Sequence, residues 1–163
     1  MGLDMYLYER HYCPSSWAKN KRDTKKTNFT TKVYDWNGNS KKVKFKDVEY
    51  IICRKGYWRK ANQIHKFFID KCADGVDDCR DVYVEDRFLK DLRDICTELL
   101  KLKGKKFVQK AQELLPTTDG FFFGGTEYNK WYRRDLRQTI KIINGLNLDS
   151  YDYNVDYIYR ASW

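Results

Sequence analysis

Apolar and polar residues alternate at both ends of the chain, and this alternation predicts a strand at each end. Over residues 2–12, Leu3, Met5 and Leu7 fall on one side, and polar residues and tyrosines fall on the other. Successive side chains of a strand point to opposite faces, so a period of two is typical of a strand with one buried face. Residues 155–162 form the last predicted strand. We expect the two terminal strands to lie close together.

A lysine-rich hairpin is predicted in the first third of the chain. Residues 32–36 form its first strand, Asn37-Gly38 is a pair typical of a type I′ turn, and residues 41–46 alternate apolar side chains with lysines. The hairpin therefore presents lysines on its solvent face. A further apolar run at 48–53 predicts a strand that leads into the first helix.

Apolar residues spaced three and four apart predict four helices, over about 57–73, 85–102, 107–115 and 127–144. The apolar stripe of the first helix consists of Trp58, Ala61, His65, Phe68 and Cys72. The inward positions expected in the last helix are Tyr128, Trp131, Leu136, Thr139 and Ile143.

The order of these elements, strands first, then helices, then a strand, indicates an α+β fold. We expect helices packed on a small antiparallel or mixed sheet that the N-terminal strands and the C-terminal strand form together. A chain of 163 residues is long enough to bury one core. Residues 1–163 are therefore expected to form a single domain, with a basic loop or hairpin insertion at about 18–46.

The loop between the last two predicted helices combines glycine, threonine and phenylalanine more densely than any other stretch. Glycine permits backbone conformations that other residues avoid and lets a ligand approach the main chain. Thr126 is expected to cap the last helix, whose N-terminus would favour an anion. An alternative is that Phe121–Phe123 form a short buried strand or plug. The candidate ligand-binding residues are Trp58, Asn62, His65, Thr117, Gly120, Phe121, Phe123, Gly124, Gly125, Thr126 and Tyr128.

Positive charge is concentrated in the first third of the chain. The net charge is +9; residues 1–60 carry 15 Lys/Arg against 6 Asp/Glu, whereas residues 61–163 carry 17 of each. A concentrated positive feature attracts nucleic acid, a phosphorylated metabolite or an acidic protein. The alternative is a solvated, mobile arm. The candidate nucleic-acid-binding residues are Lys25, Lys26, Lys41, Lys42 and Lys44.

Cysteine and histidine usage indicates neither a disulfide framework nor a metal site. The five cysteines are an odd number without a C-x-x-C pair, and only two histidines accompany them. Free thiols are the expected state, and no metal or other cofactor is predicted. The chain also lacks an apolar run of membrane-spanning length and a signal-peptide pattern at its start, so we expect a cytoplasmic protein without a membrane partner.

An enzyme is the weakest of the functional hypotheses. His65 lies on an apolar helix face, where a histidine is either a structural hydrogen bonder or a proton shuttle at the edge of a pocket. A nuclease or phosphodiesterase would use His65 as general acid or base, with Asp119 or Glu127 as its partner. The sequence offers no paired carboxylates, nucleophile motif or metal cluster at recognisable spacing, so this hypothesis ranks last.

Several segments together resemble a family of small proteins of tailed phages and prophages. They are MGLDMYL at 1–7, YWRKANQIHKFF at 57–68, LPT at 115–117, GFFFGGTEY at 120–128 and the closing SW at 162–163. The basic region at 19–46 lies outside this pattern. The resemblance implies a phage origin and a location in the cytoplasm of the infected bacterial host, and the family brings no established active site to carry over to this chain.

Small phage accessory proteins often disarm host defence, so the resemblance favours a non-enzymatic protein that inhibits a host defence system. Its partner would be a nucleotide-like small molecule, namely a nucleotide-derived defence signal, or a defence protein such as a CRISPR effector. The alternative is a nucleic-acid-binding protein that uses the basic hairpin.

Overall fold

The structure is a computed structural model that describes residues 2–13, 30–34, 37–44, 48–120, 123–148 and 155–163. Within these residues the strands are β1 (Asp4–Tyr12), β2 (Thr30–Tyr34), β3 (Ser40–Lys44), β4 (Tyr50–Arg59), β5 (Val82–Val84) and β6 (Val155–Ser162). The helices are α1 (Asn62–Cys72), α2 (Asp86–Lys101), α3 (Gly104–Leu114) and α4 (Lys130–Asn144).

The two terminal strands pair at the centre of a four-stranded sheet, as the alternation at the chain ends predicts. The strand order is β4-β1-β6-β5, and all neighbours are antiparallel. The β1–β6 register runs from Asp4 opposite Ser162 to His11 opposite Val155. The strands β2 and β3 form a separate two-stranded sheet. The α+β fold class is therefore confirmed.

The four helices pack against one face of the four-stranded sheet. Leu3, Met5 and Leu7 are fully buried on that face. The intervening positions of β1, among them Tyr6 and Tyr8, lie on the opposite face and are half-buried. This segregation follows directly from the two-residue period of the strand. Residues of all four helices complete the core, including Phe68, Leu92, Ala111 and Leu136.

The prediction that the first helix begins at residue 57 is wrong. Residues 57–59 belong to β4, and Trp58 pairs with Met5 of β1. Pairing with β1 satisfies backbone groups that a helix would satisfy internally, and it places Trp58 in the core. The helix begins instead at Asn62. The strand β5 was not predicted, because three residues are too few to show a period.

The predicted two-residue turn of the basic hairpin is also wrong. Tyr34 pairs with Ser40, so five residues separate the paired ends of the strands, and the structure describes 37–39 of them. Gly38 has a φ of +80°, a conformation that glycine adopts without the strain of a side chain. The antiparallel pairing itself agrees with the prediction.

Of the helices that the structure describes, none combines the length and the apolar character needed to cross a membrane.

Candidate functional site

The buried side chain of Asn62 holds both arms of the loop that precedes α4. Its Nδ2 donates hydrogen bonds to the carbonyl oxygens of Phe123, at 3.2 Å, and Gly125, at 2.8 Å. Its Oδ1 accepts a hydrogen bond from the backbone N–H of Thr118 at 3.2 Å. Every polar atom of this amide is therefore used by the loop, and Asn62 acts as the anchor of the loop.

A second set of hydrogen bonds closes the base of the same loop. The Thr117 hydroxyl donates to the carbonyl oxygen of Thr126 at 3.1 Å, and the backbone N–H of Thr117 donates to the Tyr128 hydroxyl at 3.3 Å. The Tyr132 hydroxyl donates to the carbonyl oxygen of Leu115 at 2.8 Å. Thr117, Thr126 and Tyr128 thus bind one another across the loop.

Two of the loop glycines allow the main chain to approach other parts of the protein closely. A Cβ atom at Gly120 would lie 2.7 Å from the Phe123 ring. Gly124 has a φ of +90°, and a Cβ atom there would lie 3.1 Å from the Cβ of Lys60 and 3.2 Å from its carbonyl oxygen. The loop is therefore packed on the connection between β4 and α1, and a side chain at either glycine would displace it.

His65 lies inside the protein with both ring nitrogens engaged. It is 1% exposed; its Nδ1 is 2.7 Å from the Tyr159 hydroxyl, and its Nε2 is 2.9 Å from Oδ2 of Asp77. Trp163 Nε1 donates to the other oxygen of Asp77 at 3.2 Å, and the edge of the Phe123 ring packs on the imidazole. Burial raises the pKa of Tyr159 well above its ordinary value. This cluster joins α1, β6 and the loop.

The predicted partners of His65 lie elsewhere. Asp119 is exposed and its Oδ1 accepts a hydrogen bond from the backbone N–H of Gly120 at 2.9 Å. Glu127 is exposed on the far arm of the loop. Asp77 is the carboxylate that contacts His65, and the sequence showed it only as one of several acidic residues in a turn.

Trp58, another candidate ligand-binding residue, belongs to the core. Its Nε1 donates a hydrogen bond of 2.9 Å to the hydroxyl of Thr139, and its ring packs against Phe68. Phe121 and Phe122 lie outside the described residues, as do Lys25 and Lys26. Lys41 and Lys42 are exposed on β3, and Lys44 ends that strand.

The prediction that Thr126 caps the last helix is wrong. The cap is Asn129, whose Oδ1 accepts hydrogen bonds from the backbone N–H groups of Trp131, at 2.8 Å, and Tyr132, at 3.4 Å. Both residues are good cap formers, and Asn129 takes the role because α4 begins at Lys130. The free N–H groups at this helix end are therefore directed at the Asn129 side chain.

A groove of about 520 Å³ lies between the loop and the first turns of α4. We call it the loop groove. Gly124, Gly125 and Glu127 of the loop line it, and the connection from β4 to α1 forms another wall. The lining residues that were not predicted as site residues are Arg59, Lys60, Gln63, Asn129, Trp131, Tyr132, Arg134 and Asp135.

Trp131 is the main aromatic surface of the loop groove. The prediction that it faces inward is wrong, because its side chain is 54% exposed. The Nζ of Lys130 lies 5.0 Å from the centre of its ring system, and Cζ of Arg134 lies 4.8 Å from it. Cations at this distance are attracted to the face of an indole. Little in the sequence indicates this exposure, because Trp131 lies on the stripe that is expected to face inward when the helix is considered without its neighbours.

The loop groove contains both cations and carboxylates. Arg59, Lys60 and Arg134 are exposed at its edges, whereas Asp135 is buried. The Nε2 of Gln63 lies 3.4 Å from Oδ2 of Asp135, and Nη2 of Arg134 lies 3.3 Å from its Oδ1. Burial raises the pKa of Asp135, and these two partners oppose that effect. The groove thus has three cations and the Glu127 carboxylate at its exposed edges, and the Asp135 carboxylate inside.

All five cysteines are free in the structure. Burial raises the pKa of the Cys96 thiol to about 12 and that of Cys72 to about 11, so both stay protonated at neutral pH. Within the described ranges, no group of three or more histidine, cysteine, aspartate or glutamate side chains is arranged to hold a metal ion.

The fold and the loop groove together define an α+β protein with four helices on one face of an antiparallel sheet and a polar, aromatic groove beside a glycine-containing loop. No protein-family model, curated protein or solved structure matches the chain.

Proposed function

We propose that this protein acts by binding, as a phage accessory protein that inhibits a host defence system in the cytoplasm of the infected bacterium. In this proposal it sequesters a nucleotide-derived signal molecule in the loop groove. The observation that carries the binding site is the 54% exposed side chain of Trp131, with Lys130 and Arg134 within 5.0 Å of its ring centre, in a groove that Gly124 and Gly125 also line. The phage origin rests on the resemblance of the segments described above.

The groups in the loop groove match the parts of a nucleotide. The indole of Trp131 offers a stacking surface for a base, which is worth about 1–3 kcal/mol. Arg59 and Lys60 are exposed and can donate to phosphate oxygens, as can the N–H groups of Arg134 that Asp135 does not engage. The Asp135 carboxylate accepts hydrogen bonds from amino or hydroxyl groups. A volume of about 520 Å³ is in the range of small-molecule sites.

The position of His65 supports binding over catalysis. A general acid or base must reach the proton that it transfers, and both nitrogens of His65 are already engaged inside the core by Asp77 and Tyr159. A defence protein, such as a CRISPR effector, is the alternative target of the same inhibitory role. For such a partner, the exposed Trp131 is the natural anchor, because tryptophan is enriched among the residues that dominate protein interfaces.

Native mass spectrometry tests the small-molecule proposal. The protein is purified from expressing cells and weighed intact, its ligands are extracted under denaturing conditions, and a nucleotide panel is titrated by calorimetry. We expect a bound nucleotide whose affinity falls about tenfold or more in Trp131→Ala, because one stacking surface is lost, and much less in Trp131→Phe.

A matched pair of variants tests how much positive charge contributes to nucleotide binding in the loop groove. Arg134→Gln removes a cation from the loop groove, and Arg87→Gln removes an exposed arginine on α2 that also stacks on an aromatic ring but does not line the groove. Only Arg134→Gln should weaken binding. A protein that copurifies empty and shows no binding to any nucleotide in the panel would refute the sequestration proposal.

A second candidate function is nucleic-acid binding by the basic hairpin. Lys41 and Lys42 are exposed on β3, which supports it. Affinity for an oligonucleotide should fall steeply with salt because phosphate contacts release counterions. The double substitution Lys41→Gln with Lys42→Gln should lower both the affinity and this salt dependence. Unchanged affinity in that variant would contradict a role for these lysines.

A further inference from the structure

The face of the four-stranded sheet that lies away from the helices is rich in tyrosine. We call it the tyrosine face, and its tyrosines are Tyr6, Tyr8 and Tyr12 of β1, Tyr50 and Tyr57 of β4, and Tyr83 of β5. Their position follows from the registers: Tyr6 lies opposite Tyr57 and Tyr12 lies opposite Tyr50, while Tyr8 and Tyr83 flank Ile158 of β6.

The tyrosine rings contact one another and leave much of their surface open. The ring centres of Tyr6 and Tyr57 are 5.3 Å apart, and those of Tyr12 and Tyr50 are 6.5 Å apart. Tyr83, Tyr50 and Tyr12 are 58%, 46% and 41% exposed. Rings that are held by their neighbours lose little freedom when a flat ligand stacks on them, which makes this face suitable for binding.

Arginine side chains lie over these rings. The Cζ of Arg10 is 4.9 Å from the ring centre of Tyr12 and 5.8 Å from that of Tyr50. The Cζ of Arg160 is 5.7 Å from the ring centre of Tyr8. A guanidinium that stacks on a ring keeps its N–H groups at the edge, where they can donate to phosphate oxygens.

Aspartates hold both of these arginines, and Asp4 accepts a hydrogen bond from the Tyr57 hydroxyl on the same face. Nη2 of Arg10 is 2.6 Å from Oδ2 of Asp156, and Nη2 of Arg160 is 2.7 Å from Oδ2 of Asp81. Arg54, opposite Tyr8, is exposed and forms no ion pair among the described residues.

Beside β4 the tyrosine face continues into a basic cleft of about 770 Å³. Tyr6, Tyr57, Arg54, Lys55 and Lys141 line this cleft, and no carboxylate is among its lining residues, all of which lie in the described ranges. The Nζ of Lys55 lies 3.0 Å from Oε1 of Glu9. Arg54 and Lys141 therefore supply the positive charge of the cleft along one edge of the tyrosine rings.

The basic hairpin is attached at the same sheet. The chain leaves β1 at Tyr12 and returns to β4 at Tyr50, which are cross-strand partners. The segment between them carries ten Lys/Arg and four Asp/Glu, a net charge of +6. This basic segment therefore begins and ends at the same end of the tyrosine face.

We infer that the tyrosine face binds single-stranded nucleic acid, with unpaired bases stacked on the tyrosines and the phosphate backbone along the basic cleft. Aromatic rings on an open sheet are suited to this ligand because every base has a flat face, and bases in a duplex are not available for stacking. This inference rests on the second candidate function but assigns the contact to the rings, so the two can fail separately.

Fluorescence anisotropy with a labelled oligothymidylate at low salt tests the inference. Tyr50→Ala and Tyr83→Ala change exposed side chains, and each should weaken binding about tenfold or more. The matched variants Tyr50→Phe and Tyr83→Phe keep the ring and should bind within about twofold of the unmodified protein, because stacking depends on the ring rather than on the hydroxyl. A duplex of the same length should bind more weakly than the single strand.

Three results would overturn the inference. The first is no binding of any single-stranded oligonucleotide at low salt. The second is binding that survives both alanine variants but is lost when Lys41 and Lys42 are replaced by Gln; the hairpin function would then stand without the tyrosine face. The third is duplex binding as tight as that of the single strand.

Discussion

Replacing Asn62 by Ala tests whether one buried amide anchors the loop beside the groove. The substitution removes three hydrogen bonds, to the backbone N–H of Thr118 and to the carbonyl oxygens of Phe123 and Gly125. Each such bond contributes about 0.5–1.5 kcal/mol net, and a buried group that loses its partner costs about 1–3 kcal/mol. Gly125 is exposed, so its carbonyl regains water and adds little.

The two half-buried residues therefore determine the size of the effect. Unpaired groups at Thr118 and Phe123 give a loss of about 2–4 kcal/mol. Alanine is a better helix former than asparagine by up to about 0.7 kcal/mol, which offsets part of this loss at the start of α1. We expect Asn62→Ala to lower the free energy of unfolding by about 1.5–3 kcal/mol. For a chain of this size the midpoint of thermal unfolding falls by roughly 3–12 °C.

Urea and thermal denaturation followed by circular dichroism measure this change, and limited proteolysis detects local release of the loop. Asn144→Ala is the matched control, because it makes the same chemical change at an exposed position at the end of α4. The control should stay within about 0.5 kcal/mol of the unmodified protein. If the two variants have equal stability and the loop is equally resistant to protease, Asn62 does not anchor it.

Two further predictions concern the other end of the loop groove. Asn129→Ala should lower the free energy of unfolding by about 0.5–2 kcal/mol, because it removes the cap of α4. Thr126→Ala should change the free energy of unfolding by less than Asn129→Ala does. If urea denaturation shows the larger loss for Thr126→Ala, Thr126 rather than Asn129 is the cap. Because burial raises the pKa of Asp135, the folded protein binds this proton more tightly than the unfolded chain. The stability of the unmodified protein relative to Asp135→Asn should therefore fall as pH rises from below the ordinary aspartate value, about 4, through the raised value, and then level off. If denaturation at a series of pH values shows that the stability of the unmodified protein relative to Asp135→Asn increases with pH, the pKa of Asp135 is not raised.

Local pattern was sufficient for the elements whose buried face repeats along the chain. The terminal strands and α2 agree with prediction because Leu3, Met5 and Leu7, and likewise Leu89, Leu92, Cys96 and Leu99, follow one period without interruption. Residues 57–59 were assigned to a helix because Trp58 also fits a helical stripe. Only the pairing of β4 with β1 resolves that ambiguity.

The candidate site was predicted in part. The loop was found from its glycines, and two of them line the loop groove. Asn62 was named as a ligand contact, whereas its hydrogen bonds are made with the loop itself. Trp131 was placed inside because an isolated helix does not show which of its faces a neighbouring loop leaves open.

The α+β class, the strand at each end and the concentration of positive charge in the first third of the chain could be predicted from the sequence. These features depend on residue type and on the local period of apolar residues. Contacts between residues that are far apart in the chain are set by the tertiary structure. It joins His65 to Tyr159, which lies 94 positions away, and it gathers six tyrosines from three strands on the sheet face that lies away from the helices. Such contacts depend on register and strand order, which are set by the packing of the whole core and leave no mark in the local pattern.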